Sequence, residues 1–404
     1  MARNRKQFLF WLMLAIPYFK PAIFAEISWL AVLENLFNYW RLAAAGLLAV
    51  LYLRRVILDR RISPVMVGLG IYEAAIVLST VTGSRNWFYV LNCAATMMSF
   101  CMLLELTVRE DPLLALDVCI WPLTFQLTVN FILLTVFPYG ILQGGKFGNA
   151  FNYMAIDNQL AAFVLPWIVL CCLRDTMCRG ELRFLGYYAV VIGMLTELLV
   201  WSATGMVTIF LLIVYVLFFY LRRGEILGNH LTFLAGTFGM FFGIIVLRLQ
   251  MILSGLVEGV LQKGLSFTGR TELWDTARDM FLEKPWLGWG LGLQGKVYRM
   301  RKGRYYPAHS VIYEILIQGG VLAMSGFLVM LVSAGQKLLE YRRHPYACLI
   351  SAGLLCFGVV GSMESYIDNN AVLLFGLFFL AWRLPEIIEK RDIPPLPVLA
   401  EERG

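Results

Sequence analysis

The chain has 404 residues, 59% of them apolar and only 15% charged, with a formal net charge of +7. A mean hydropathy of +0.71 is far above that of a soluble domain, which excludes a water-soluble enzyme and points to a polytopic membrane protein. A nucleic-acid partner is not expected.

A helix needs about 20 apolar residues to cross the hydrocarbon. Twelve spans are predicted in chain order, at 8–25, 38–53, 64–83, 87–106, 112–137, 158–173, 184–200, 205–221, 231–250, 309–334, 346–362 and 370–385. The run 184–221 is too long for one crossing, and Trp201-Ser202-Ala203-Thr204-Gly205 divides it into a tight hairpin. The first span lacks a small-residue cleavage site, so a cleavable signal is not expected. The expectation is an all-α polytopic membrane protein of about 12 transmembrane helices. Helices 1–9 occupy 1–250, one large outer loop with short amphipathic helices occupies 251–308, helices 10–12 occupy 309–385, and a tail occupies 386–404.

Lys and Arg set the orientation. With the N-terminus inside, 20 basic residues fall on the inner side and 14 outside, of which nine lie in 251–308 and one more is Arg248 beside it. Without that region the split is 20 to 4, a positive-inside signal from which long loops are exempt. Both termini are therefore expected in the cytoplasm, and the large loop on the extracytoplasmic face of the inner membrane. Of eight cysteines, Cys178 lies in an inner loop and the others in apolar spans, so no disulfide frame is expected. The three histidines show no zinc spacing, and neither a metal nor a cofactor is expected. There is no Walker loop and no visible repeat, which weighs against an ATP-driven or inverted-repeat transporter.

The outer loop carries nine basic residues and five acids, a net charge of +4 that invites an anionic partner. Lipid headgroups compete for that part. Within it, "GRTELWDTARDMFLEKPWLGWGLG" (269–292) places Leu273, Trp274, Ala277, Met280 and Phe281 at helical spacing. Pro285, Gly288, Gly290 and Gly292 then end the helix in a turn. A short amphipathic helix lying at the surface is predicted, with Arg270 at its N-terminal end, where backbone N–H groups and a guanidinium converge on a phosphate. The next motif, "YYPAHSVIYEILIQGG" (305–320), puts His309 where a wet, basic stretch becomes an apolar helix. Such a histidine is either an interface residue or a proton acceptor at the membrane surface.

These two motifs resemble the bacterial O-antigen ligase and O-antigen polymerase superfamily. Its pattern is an Arg near a Leu/Trp helix, a Pro/Gly turn, then His-(Asn/Ser/Gln), nine residues and Gly. His309-Ser310 and Gly320 fit, while Ala323 stands where the family has Gly, Thr or Tyr. "PYFKP" at 17–21 also looks like the first span of capsular polysaccharide polymerases. The resemblance implies a metal-independent, inverting glycosyltransferase-C type enzyme whose donor is a glycan on undecaprenyl diphosphate. Many members carry Ser-Arg-Gly at the outer end of the middle hairpin. Here Ser202-Ala203-Thr204-Gly205 lacks that cation, and Arg248 is the suggested substitute.

Sugar transfer from a lipid diphosphate needs an acceptor hydroxyl that loses its proton and a stabilised leaving diphosphate. A neutral imidazole suits the first task and guanidinium groups the second. His309 is the candidate base, with Arg270, Arg248 and Arg304 as candidate diphosphate ligands. Tyr313, one turn beyond His309, and the acids Glu197, Glu364 and Asp368 are candidate substrate contacts, against the plain readings of an interface aromatic and solvated loops. The leading expectation is a polymerase of lipid-linked repeat units. A ligase acting on lipid A core or another acceptor is the alternative within the class, and a lipid-linked oligosaccharide transporter the alternative outside it. Membrane lipids are expected partners, and a chain-length regulator is left open.

Overall fold

The structure is a computed structural model that describes residues 5–83, 87–142, 150–220, 236–248, 270–292, 295–299, 303–366 and 372–391. In lipid every backbone N–H and C=O must be satisfied within its own element, and a helix does this without a partner. The main helices follow in order as α1 (Arg5–Ala15), α2 (Ala31–Asp59), α3 (Pro64–Gly83), α4 (Trp87–Glu110), α5 (Pro112–Val136), α6 (Ala161–Arg179), α7 (Phe184–Val200) and α8 (Ala203–Tyr220). After them come α9 (Arg270–Glu283), α10 (Val311–Glu340), α11 (Pro345–Gly361), α12 (Val372–Trp382) and α13 (Leu384–Lys390). Five of these, α3, α4, α5, α6 and α10, are long and apolar enough to cross a membrane, and α7, α11, α12 and Thr204–Tyr215 of α8 are shorter apolar helices. The chain is an all-α, multi-pass membrane protein.

Several expected spans are not continuous helices. The span expected at 8–25 stops at Ala15 and gives way to a 3-10 turn, Ile16–Phe19. Pro17, in the first turn of that segment, has no N–H to continue the α-helical ladder. Of the span expected at 231–250, residues 236–248 are described, and Phe241–Val246 form a π turn rather than regular α-helix. The last span ends at Trp382, and Pro385 lies in the first turn of a separate helix, α13. Buried Arg383 pairs there with Glu105 and Glu386, the partners a buried guanidinium requires.

Helix α10 packs along α3 through small residues. A Cβ on Gly68 would sit 2.7 Å from the Gly326 carbonyl oxygen, so the two backbones touch. Helix α9 is the short amphipathic helix expected there, with Arg270 at its N-terminal end. It docks on α10, with Leu273, Trp274 and Ala277 buried against Ala308, Ile312, Tyr313 and Ile317. An antiparallel hairpin, β1 (Val297–Arg299) and β2 (Arg304–Tyr306), joins the two helices and was not foreseen.

The turn after α9 is built into a break in α10. Gly320 adopts φ 62° and ψ −160°, a conformation only glycine reaches readily. The broken ladder leaves backbone groups that the turn satisfies. Trp289 and Gly290 N–H donate to the Ile317 and Gln318 carbonyls (2.6 and 2.9 Å), and Val321 N–H donates to the Pro285 carbonyl (2.8 Å). A Cβ on Gly320 would lie 2.3 Å from the Trp286 carbonyl oxygen, so the turn and the glycine require each other. This junction fixes α9, and hence Arg270, relative to the start of α10.

Candidate functional site

Arg270 begins α9, and His309 lies two residues before α10. Both reach one carboxylate, that of Glu364, which follows α11. Arg270 donates to Glu364 Oε1, while His309 Nδ1 lies 3.0 Å from Glu364 Oε2. The Glu364 side chain is 4% exposed and the His309 ring 23%, so the carboxylate is sunk behind an imidazole that still reaches the surface. A carboxylate held by a guanidinium is an acceptor, so this bond requires the proton on Nδ1. The Nε2 lone pair of the neutral ring is then left free.

His309 has φ +50°, a left-handed conformation that costs a non-glycine residue roughly 1–3 kcal/mol and is held by its surroundings. Glu314 supplies much of that support. Its Oε2 accepts from Ala308 N–H (2.7 Å) and from the Ser365 hydroxyl (3.1 Å), and its Oε1 accepts from the Gln318 amide (2.8 Å). One buried carboxylate thus ties together the residues beside His309 and Glu364.

The remaining candidates lie apart from this cluster of ion pairs or outside the described residues. Arg248 pairs with Asp275 and, with Arg278, Trp274 and Tyr313, lines a cleft of about 550 Å³. Two walls of the cleft continue from the site: Trp274 and Asp275 lie on α9 after Arg270, and Tyr313 lies one turn after His309. Arg304 is exposed on β2, opposite Arg299. Glu197 is buried in the α7–α8 hairpin, where a Cβ on Gly205 would lie 1.8 Å from its Oε2. Neither of its carboxylate oxygens has a hydrogen-bond partner among the described residues. Asp368 lies outside the described residues. Among the aromatic residues near the outer ends of the helices, Trp201 and Trp286 are exposed. Trp289 instead donates its indole N–H to the Met280 carbonyl (2.8 Å), a structural role.

Glu314, Asp275 and Arg278 were not among the expected site residues. Glu314 carried a readable signal, being a carboxylate in the first turn of a helix directly after the His-Ser pair. Asp275 and Arg278 looked like the solvated face of an amphipathic helix.

Residues 188–328 match the family model described as O-antigen ligase. This segment is similar to that family over about a third of the chain. The match supports the O-antigen ligase and polymerase superfamily, and with it a role of that general type in polysaccharide biosynthesis. The O-antigen ligase-like segment runs from α7 into α10 and contains Arg270, His309 and Gly320, whereas Glu364 lies beyond it. No curated protein matches the chain.

Proposed function

We propose that the chain is an inverting glycosyltransferase that joins undecaprenyl-diphosphate-linked oligosaccharide units into a surface polysaccharide at the outer leaflet. The observation that carries this reading is the Arg270–Glu364–His309 cluster. An acceptor hydroxyl gives its proton to His309 Nε2 while its oxygen attacks the anomeric carbon. The bond from that carbon to the diphosphate oxygen breaks, and undecaprenyl diphosphate leaves with the electron pair. Glu364 holds the ring in the required tautomer and stabilises the imidazolium that forms, the part a buried carboxylate plays in a Ser-His-Asp triad. Glu364 occupies one corner of the Arg270 fork, and the remaining N–H donors of that guanidinium suit phosphate oxygens. Arg248 and Arg304 are secondary candidates for the same charge. Guanidinium groups supply this stabilisation without a metal.

A ligase that moves finished glycan onto lipid A core is the second reading, favoured by the description of the matched family. Purified protein in lipid, given undecaprenyl-diphosphate repeat units and a chelator, is expected to produce a ladder of polymer. Transfer only when lipid A core is supplied would select the ligase instead, and no transfer to either acceptor would remove the enzyme reading.

A further inference from the structure

Apart from the large outer loop and Arg248, only four basic residues fall on the outer side of the positive-inside orientation: Lys20, Arg41, Arg85 and Lys146. Two of them meet. The Lys20 ammonium and the Arg41 guanidinium both donate to Asn38 Oδ1, at 3.2 and 3.4 Å. Lys20 also pairs with Glu34, whose Oε1 accepts from the Asn38 amide at 3.0 Å. Two cations and one carboxylate leave an excess of one positive charge. Arg41 is only 9% exposed, and among the described residues its Nε and Glu34 Oε2 are buried without hydrogen-bond partners. Like charges that share a neutral amide oxygen in a dry setting repel. Ionisable groups inside a helix bundle are costly enough to mark a site. An anion with several oxygens would offset the excess charge and accept from the unpaired guanidinium donor, while Glu34 Oε2, itself an acceptor, would have to stay on the side of Lys20.

On the proposed function, the two substrates of each condensation both carry a lipid diphosphate, and the cluster around Glu364 accounts for one. We infer that Lys20 and Arg41 bind the diphosphate of the second, acceptor lipid-linked unit. The placement suits an acceptor. Helix α2 packs on α4, α4 on α3 and α3 on α10. At about 8–10 Å per packed pair, the helix-to-helix path from α2 to α10 is about 24–30 Å long, which leaves room for two separate sites. The acceptor hydroxyl is carried by the far end of an oligosaccharide, several sugars from its own diphosphate, so the two sites have to be separated. A single shared phosphate site would bring the wrong end of the acceptor to the base. This inference rests on the polymerase reading, because a ligase needs only one such donor.

Binding of farnesyl diphosphate to the purified full chain, counted by native mass spectrometry, tests the inference without requiring turnover. Two equivalents are expected for the wild type and one for Lys20→Gln or Arg41→Gln, with Arg270→Ala losing the other. Lys20→Arg is expected to keep two. If Arg41→Gln fails to accumulate, the half-buried Lys20→Gln decides the question. In elongation assays, the preference for an acceptor on a diphosphate lipid over the same oligosaccharide on a neutral alkyl chain is expected to fall about 10- to 100-fold in Lys20→Gln, as the loss of a charged hydrogen bond implies. One equivalent in the wild type, or the same count in wild type and Lys20→Gln, overturns the inference. Displacement of the second equivalent by phosphatidylglycerol, with no change in acceptor preference, would assign the pocket to a structural phospholipid and also overturn it. A wild type that binds two equivalents but makes no polymer counts against the proposed function and leaves the second anion site standing.

Discussion

Glu364 faces a cation on one oxygen and an imidazole on the other, and a single substitution tests both contacts. Glu364→Gln removes the charge that favours the imidazolium and lets an amide group rotate against Arg270. The initial rate of transfer is expected to fall about 10²-fold or more while donor binding persists. A near-normal rate would show that the carboxylate does nothing for the ring. Arg270→Lys is expected to reduce activity nearly as much as Arg270→Ala, because a point charge cannot replace a fork shared between a carboxylate and a phosphate. Full activity of the Lys variant would refute the fork. Arg270 and His309 stood out in the sequence because their motifs resemble the pattern of the O-antigen ligase and polymerase superfamily. Glu364 was a candidate substrate contact, but its place between the two was not legible, since it is 55 residues from His309 in a stretch that reads as a solvated loop. Only folding brings it beneath the ring.

At the scale of elements, the break in α10 is the joint that sets the site. Gly320→Ala forces a Cβ against the Trp286 carbonyl oxygen and imposes a positive φ that costs an L residue about 1–2 kcal/mol before the clash is counted. A lower thermal midpoint in detergent and a loss of transfer are expected together. An unchanged midpoint would mean that the turn does not depend on the glycine. Hydropathy alone showed α10 as one apolar run, because Gly319-Gly320 interrupts the geometry without interrupting the composition. The amphipathic stripe of α9 was legible for the same reason that it docks: its apolar face has to be covered. What covers it was not legible, since Ala308, Ile312 and Tyr313 belong to another element. The strands β1 and β2 were hidden because three residues each, with basic neighbours, carry too little pattern to read as a strand, and the early end of α1 by an apolar run that continues across Pro17.

For the whole molecule, transfer from a lipid-linked donor delivered outside requires the O-antigen ligase-like segment to present its site on the outer face. The 20 to 4 basic asymmetry argues for that orientation. A membrane-impermeant thiol reagent applied to intact cells, on a cysteine-free background, is expected to label Lys296→Cys but not Gly180→Cys. The reverse pattern would put the cluster on the wrong side for a lipid-linked donor delivered outside. The claim underlying every other expectation is that His309 takes the proton of the acceptor hydroxyl. Single turnover tests it most directly, with purified protein in lipid loaded with labelled undecaprenyl-diphosphate oligosaccharide, and with glycosidic bond formation and release of undecaprenyl diphosphate followed together. His309→Gln is predicted to hold the donor yet form the bond about 10²–10⁴ times more slowly than the wild type. Bond formation by His309→Gln at the wild-type rate would contradict the account and leave the histidine an interface residue.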